Sequence, residues 1–101
     1  MLTRIRSAVA KNGKGAEALR WVQDVAAHQN SRDANLRAEV YREVFGDTNR
    51  IHYVTHHPDL AAYERWLAES STDTELQRIF AKGPEVIVDG SYRDLLLRSA
   101  D

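Results

Sequence analysis

An alternation of polar and apolar residues opens the chain and predicts a strand over residues 1–10. From residue 16 to about residue 30 the apolar residues recur every three or four positions, which predicts an amphipathic helix. Alternation returns over residues 36–45 and again over residues 50–56. Because only the turn-forming residues 46–49 separate these two runs, we expect them to form an antiparallel hairpin.

The second half of the chain predicts further helical structure and one more strand. Pro58 suits the first position of a helix. Thr72 and Glu75 have the spacing of a capping box, so the helix is expected either to kink there or to give way to a second one. Alternation over residues 92–98 predicts the last strand. The element order β-α-β-β-α-β predicts a ferredoxin-like α+β fold, with a four-stranded antiparallel sheet and both helices on one face.

The alternation also assigns each strand residue to one face of this sheet. The more apolar positions are expected to face the helices and form the core, namely Ile5, Val9, Leu36, Ala38, Val40, Ile51, Tyr53, Leu95 and Leu97. The opposite face, which we call the open face, is predicted to carry Arg4, Arg6, Arg37, Glu39, Tyr41, Glu43, His52, Val54, His56, Tyr92, Asp94, Leu96 and Arg98.

The charges predicted for the open face nearly cancel, and tyrosine, valine and leucine lie among them. Such a surface suits burial against a second copy of the chain, which predicts a homodimer. The alternative is an ordinary sheet face in contact with water, which antiparallel sheets commonly have.

Composition narrows the classes of function. A chain of 101 residues, 43% of them hydrophobic, fits one domain over residues 1–101. The absence of cysteine excludes disulfides, thiolate zinc sites and thiol catalysis. A net charge of −1 lacks the basic excess of a nucleic-acid or membrane-surface binder. No apolar run approaches the length of a membrane span, so we expect a cytoplasmic protein that binds neither nucleic acid nor a membrane.

The element order over nearly the whole chain, and residues 51–66 in particular, resemble the dimeric α+β-barrel superfamily. The similar piece is a strand, a short turn and a helix with the sequence PDLAAYERW over residues 58–66. The superfamily includes antibiotic-biosynthesis-type monooxygenases and haem-degrading monooxygenases. The resemblance implies that two protomers pack their open faces together, and that the resulting lumen or a flanking cleft holds a small molecule.

The two branches of the superfamily imply different chemistry. The haem-degrading branch has a pattern of an asparagine on the first strand, a tryptophan on the second helix and a later histidine. This chain resembles that pattern only at Trp66. We therefore expect no haem and no other cofactor. The quinone-forming branch implies deprotonation of a phenolic substrate, whose anion then reacts with oxygen without metal or flavin.

A base and a hydrogen-bonding aromatic residue are needed for such a reaction. His52 is the best candidate base, because an imidazole titrates near neutrality. Tyr41 on the neighbouring strand could hydrogen-bond a substrate oxygen, and Arg6 or Arg37 could hold the resulting oxyanion. The other predicted ligand-binding residues of this face are Glu39, His56, Tyr92 and Asp94.

The alternative for His52 is a surface or ion-paired strand histidine, and for the tyrosines it is interface packing. His52 and His56 lie roughly 13 Å apart along a strand, which does not suit one shared metal ion. RNA-recognition modules share this topology, but residues 50–57 lack their glycine-flanked aromatic signature.

Two functions remain open. One is a homodimer that binds a small aromatic or carbonyl-bearing metabolite and has a cofactor-independent, monooxygenase-like activity. The other is a non-catalytic ligand-binding or interaction module of the same fold. Convergence of His52, Tyr41 and an arginine on one cavity would favour the enzyme, whereas a lumen filled by ion pairs would favour the module.

Overall fold

The computed structural model describes residues 1–100 and contains the predicted elements in the predicted order, together with one short helix before the last strand that was not predicted. They are β1 (Leu2–Val9), α1 (Gly15–Arg32), β2 (Glu39–Arg42), β3 (Arg50–His57), α2 (Leu60–Ser71), α3 (Thr74–Phe80), α4 (Gly83–Val86) and β4 (Arg93–Arg98). The strands form one antiparallel sheet in the order β2-β3-β1-β4. The helices cover one side of it, so the ferredoxin-like α+β fold is confirmed.

The second strand is shorter than the predicted residues 36–45. The carboxylate of Asp33 accepts a hydrogen bond from the Asn35 N–H at 3.0 Å, and residues 34–36 form a single 3₁₀ turn. Arg37 then has a φ of 48°, in the left-handed region that a strand cannot contain. Pairing with β3 is therefore confined to β2, although the predicted hairpin itself is confirmed.

Aspartates, rather than the predicted residues, cap the helices after β3. Pro58 lies outside α2, and the carboxylate of Asp59 accepts a hydrogen bond from the Ala62 N–H at 2.8 Å. Asp73 caps α3 in the same way, so the prediction of a Thr72 cap is wrong. An aspartate is a strong N-cap because its oxygen satisfies an N–H that has no partner within the helix. The helical region thus divides into consecutive helices.

The predicted faces of β2 and β3 are correct, but those of β1 and β4 are inverted. Tyr53 belongs to the core beneath the helices, and across the sheet it pairs with Arg6, which pairs in turn with Asp94. Residues directly opposite each other share a face. The helix-facing side therefore includes Arg4, Arg6, Asp94, Leu96 and Arg98, which were predicted on the open face. The open face includes Ile5, Val9, Leu95 and Leu97, which were predicted in the core.

Small residues explain why β1 is inverted. Ala8 and Ala10, rather than Ile5 or Val9, lie in the core against the helices. Trp21 of α1 belongs to the same core cluster, in which short side chains leave room for its large ring. Hydrophobic content alone therefore selected the wrong side of β1, since both of its faces carry apolar residues.

Candidate ligand-binding site

A cavity of about 500 Å³ lies between the helix-facing side of the sheet and helices α1 to α3. Its volume falls in the range of small-molecule sites, and most of its walls are apolar. The residues that line it include Arg4, Arg6, Ala8, Trp21, Val22, Val25, Gln29, Ile51, Tyr53, Trp66, Leu67, Gln77, Phe80 and Tyr92.

Exposure distinguishes the inner walls of the cavity from its mouth. Arg4, Tyr53 and Trp66 are buried on the inner side. The half-exposed lining residues that mark the mouth are Arg6, Leu67, Phe80 and Tyr92. A ligand entering between these side chains would reach an enclosed, largely aromatic interior.

Trp21 forms part of the wall on α1 and is fixed from two directions. Its Nε1 donates a hydrogen bond to the carbonyl oxygen of Ile79 at 2.7 Å, which ties α1 to the end of α3. Behind the indole, Gly83 of α4 approaches so closely that a Cβ there would lie 2.9 Å from a ring carbon. The position of this wall thus depends on glycine at residue 83.

Two arginines and one carboxylate set the charge of the cavity. Arg6 donates two hydrogen bonds to Asp94, at 2.7 and 2.8 Å, which raises the pKa of Arg6 and lowers that of Asp94. Arg4 approaches the same carboxylate only to 3.8 Å. Its guanidinium carbon lies 5.3 Å from the ring centroid of Trp66, a cation–π arrangement.

Two polar atoms of the inner wall have no hydrogen-bond partner within residues 1–100. They are Oη of Tyr53 and Nε1 of Trp66. Burial raises the pKa of Tyr53, so its hydroxyl stays protonated at neutral pH. An unsatisfied buried polar group costs about 1–3 kcal/mol, so both atoms are destabilising in the free protein.

On the open face, the polar side chains satisfy one another. His52 lies 3.0 Å from Glu43, and His56 lies 2.7 Å from Glu39. Tyr41 donates a hydrogen bond to Glu39 at 2.8 Å. The histidine bonds lower the pKa of both glutamates, and the bond to Glu39 raises the pKa of Tyr41. These groups form a paired cluster.

The predicted site residues therefore divide between two places. Arg6 and Tyr92 lie at the mouth of the cavity, with Asp94 hydrogen-bonded to Arg6, while Glu39, Tyr41, His52 and His56 lie on the open face. Arg37 and His56 line a separate hollow of about 410 Å³. The structure does not bring His52 and Tyr41 together with Arg6, so the expected convergence on one cavity is not present within the chain.

Sequence reasoning missed the inner wall. Arg4 was expected on the open face and Tyr53 among ordinary core residues, and Trp66 was considered only as the one match to the haem-degrading pattern. One signal in the sequence was available. Arg4, Arg6 and Ala8 occupy every second position of β1 and share a face with the buried Ala10. Small residues at the end of such a run indicate the side on which helices pack closely.

Two further properties of the described residues bear on function. Within residues 1–100, no three histidine, aspartate or glutamate side chains cluster so that they could hold a metal ion. None of the helices in this part of the chain is long and apolar enough to cross a membrane.

Solved structures share this fold across nearly their whole length. An uncharacterised NIPSNAP domain protein from Burkholderia xenovorans is 17% identical with a TM-score of 0.82, and the match covers 99% of this chain and 95% of that one. A NIPSNAP family protein from Agrobacterium tumefaciens is 18% identical with a TM-score of 0.81, over 99% and 93% of the two chains.

An antibiotic biosynthesis monooxygenase is 14% identical with a TM-score of 0.72, and the match covers 100% of both chains. These likenesses confirm the resemblance in fold to the α+β-barrel superfamily. No curated protein matches the chain significantly. A family described as being of unknown function, DUF6039, matches residues 2–94. The match runs from β1 into β4 of this chain, which therefore belongs to the DUF6039 family.

Proposed function

We propose that this protein is a one-domain cytoplasmic homodimer that binds a small aromatic or carbonyl-bearing metabolite. The observation that carries the proposal is the cavity between sheet and helices, which combines aromatic walls with the guanidinium groups of Arg4 and Arg6. Pockets of this kind bind ligands through apolar contact and use a few polar groups for orientation.

The walls favour a flat, apolar ligand body. Trp21 and Trp66 are the two tryptophans of the chain, and both line the cavity. Phe80 and Tyr92 lie at its mouth. Aromatic side chains prefer stacked or edge-to-face contact with other rings, which supports an aromatic ligand over a branched aliphatic one of equal volume.

The open face supports the homodimer. Leu95 and Leu97 are about half exposed on β4, and they lie near Ile5 and Val54 on the same face. A second copy related by a two-fold axis would cover these side chains with their own equivalents. The paired histidines and glutamates beside them would require no new charged partner.

The cavity proposal is tested by native mass spectrometry of the protein purified from its own host. A bound metabolite is expected as a constant added mass that is released on denaturation. Leu67→Trp should close the mouth and abolish the added mass. Leu60→Trp is the matched control, because both leucines belong to α2 and are 42% and 47% exposed, but only Leu67 lines the cavity. Equal retention by both variants would contradict binding in the cavity.

A monooxygenase-like activity is the second candidate, favoured by the two guanidinium groups of the cavity. They would stabilise the anion of a phenol or enol, which is the form that reacts with oxygen. In the overall reaction, a ring CH₂ and O₂ give a ring carbonyl and water, so that one oxygen atom enters the substrate. No external reductant is needed.

Oxygen uptake with a tricyclic phenol, measured in the presence of a metal chelator, tests this activity. In the arrangement first expected, His52 and Tyr41 act on a substrate in the lumen between protomers, with Arg37, Glu39 and His56 nearby. In the cavity arrangement, Leu67→Trp should stop uptake. Persistence of uptake in Leu67→Trp and its loss in His52→Gln would favour the lumen. The non-catalytic binding module remains the alternative if no oxygen is consumed.

A further inference from the structure

We infer that the cavity selects ligands that carry one negatively charged oxygen group on an apolar body, and that Arg4 receives this group at the inner wall. The inference rests on the proposed function, since it names the class of ligand that the same cavity takes. The shared chemistry is that of an aromatic carboxylate, phenolate or enolate.

The first support is the burial of Arg4. The residue is only 8% exposed, and within residues 1–100 its guanidinium makes no hydrogen bond to another side chain or to the backbone. Arginine carries five N–H donors and is charged at any physiological pH. Buried charges in proteins are normally paired and hydrogen-bonded, because an unpaired one carries a large desolvation penalty.

Asp94 supplies only part of that pairing, as an ion pair without a hydrogen bond. Its two oxygens already accept hydrogen bonds from Arg6, and its side chain is half exposed at the rim. The distance of 3.8 Å from Arg4 to this carboxylate exceeds hydrogen-bond length. Two guanidinium groups beside one carboxylate leave one positive charge in excess, and no carboxylate is among the described residues that line the cavity itself.

The other neighbours of Arg4 also leave an acceptor missing. Trp66 offers the face of its ring to the guanidinium, but its Nε1 is a donor. His57 packs against Trp66, and burial followed by the charge of Arg4 lowers its pKa, so it stays neutral. The Tyr53 hydroxyl of the same wall is buried and also has no partner within residues 1–100. Arg4 is therefore the donor of the inner wall to which a ligand oxyanion is complementary.

The test compares two probes of nearly equal shape, 1-naphthoate and 1-naphthamide, by calorimetry at pH 7. A charge-assisted pair with a buried guanidinium is expected to give naphthoate at least about tenfold tighter binding. Arg4→Met should abolish this preference, while Arg4→Lys should keep part of it. Arg98→Met removes an exposed arginine that does not line the cavity, and it should leave the preference intact.

The outcomes separate the two proposals. Equal binding of both probes by the unaltered protein would overturn the anion preference and leave the cavity proposal standing. Binding of neither probe would contradict the cavity proposal itself. If Arg4 were only structural, Arg4→Met would lower the melting temperature and leave the preference unchanged. If Arg4→Met does not fold, Arg4→Lys provides the test. Lysine carries a point charge and lacks the planar fork of a guanidinium, so full retention of the preference would contradict a site that is specific for guanidinium.

Discussion

The two faces of the sheet contain similar polar residues but differ in how far those residues are satisfied. On the open face, His52 and His56 each contact a glutamate, yet much of the surface around them is uncovered. On the helix side, Oη of Tyr53 and Nε1 of Trp66 are buried without a hydrogen-bond partner within residues 1–100, and the buried Arg4 has only an ion pair at 3.8 Å. The first face has its charges paired and lacks a cover, which suits a protein partner. The second has a cover and lacks acceptors, which suits a ligand.

Replacement of Leu95 by aspartate should have the largest effect on this distinction. Leu95 is 56% exposed on the open face. In the proposed dimer it becomes buried, and an unpaired charge there costs about 3 kcal/mol or more, equivalent to a hundredfold or greater loss of dimer affinity. Sedimentation velocity at micromolar concentration should show a species near 11.5 kDa in place of the dimer.

Leu96→Asp is the matched control for this variant. Leu96 is 43% exposed on the same strand but points to the helix side. Its replacement should leave the mass of the particle unchanged. If Leu96→Asp dissociated the dimer and Leu95→Asp did not, the interface would lie on the other side of the sheet. A monomeric unaltered protein would contradict the dimer.

His57 distinguishes the faces through pH, because it lies on the same strand as His52 and His56 but on the helix side. It is buried, and Thr55 lies 2.9 Å from its Nε2. Burial lowers the pKa of His57 below its usual 6.5. As the pH falls below 6.5, the unfolded chain takes up a proton that the folded chain refuses, so the free energy of unfolding should decrease until the folded-state pKa is reached.

His57→Phe should remove this part of the pH dependence. The variant also leaves the fully buried Thr55 hydroxyl without its partner, at a cost of about 1–3 kcal/mol that does not vary with pH. Urea unfolding at several pH values between 7 and about 5 measures both effects. These values span the ordinary histidine pKa, below which the unfolded chain takes up the proton. An unchanged slope in the variant would show that His57 is not responsible.

Replacement of His52 by glutamine should have the smallest effect. His52 lies on the open face, away from the cavity lining, so affinity for 1-naphthoate should change by less than about twofold. Calorimetry with Arg4→Met measured in parallel gives the contrast. A large loss of affinity in His52→Gln would show that the ligand binds on the open face, where His52 was first expected to act.

Much of the fold could be predicted from the sequence. The change from two-residue to three- or four-residue periodicity identified the strands and helices, and element order then identified the topology. Strand faces were harder, since β1 has apolar side chains on both sides. Ile5 pairs with Val54 and Leu95 on the open face, and Ala8 packs in the core. Residue size near the helices, rather than hydrophobicity, decides the orientation.

The site could be predicted only in part. Arg6, Tyr92 and Asp94 were predicted to bind a ligand, which stays a prediction, and the structure places Arg6 and Tyr92 in the lining of the cavity with Asp94 hydrogen-bonded to Arg6. The incomplete pairing of Arg4 could not be predicted. It arises because Asp94 already accepts hydrogen bonds from Arg6, which lies two residues after Arg4 on β1. Which of the two arginines hydrogen-bonds the carboxylate depends on interatomic distances, and sequence spacing does not give these distances.

The contact of Gly83 with Trp21 makes one wall of the cavity depend on a residue that does not line it. A Cβ at residue 83 would lie 2.9 Å from one carbon of the indole and 3.0 Å from another, so the ring or the short helix α4 would have to shift. Under the proposed function, a substitution at residue 83 would therefore change the shape of the space offered to a ligand, although every residue that lines this space stays the same.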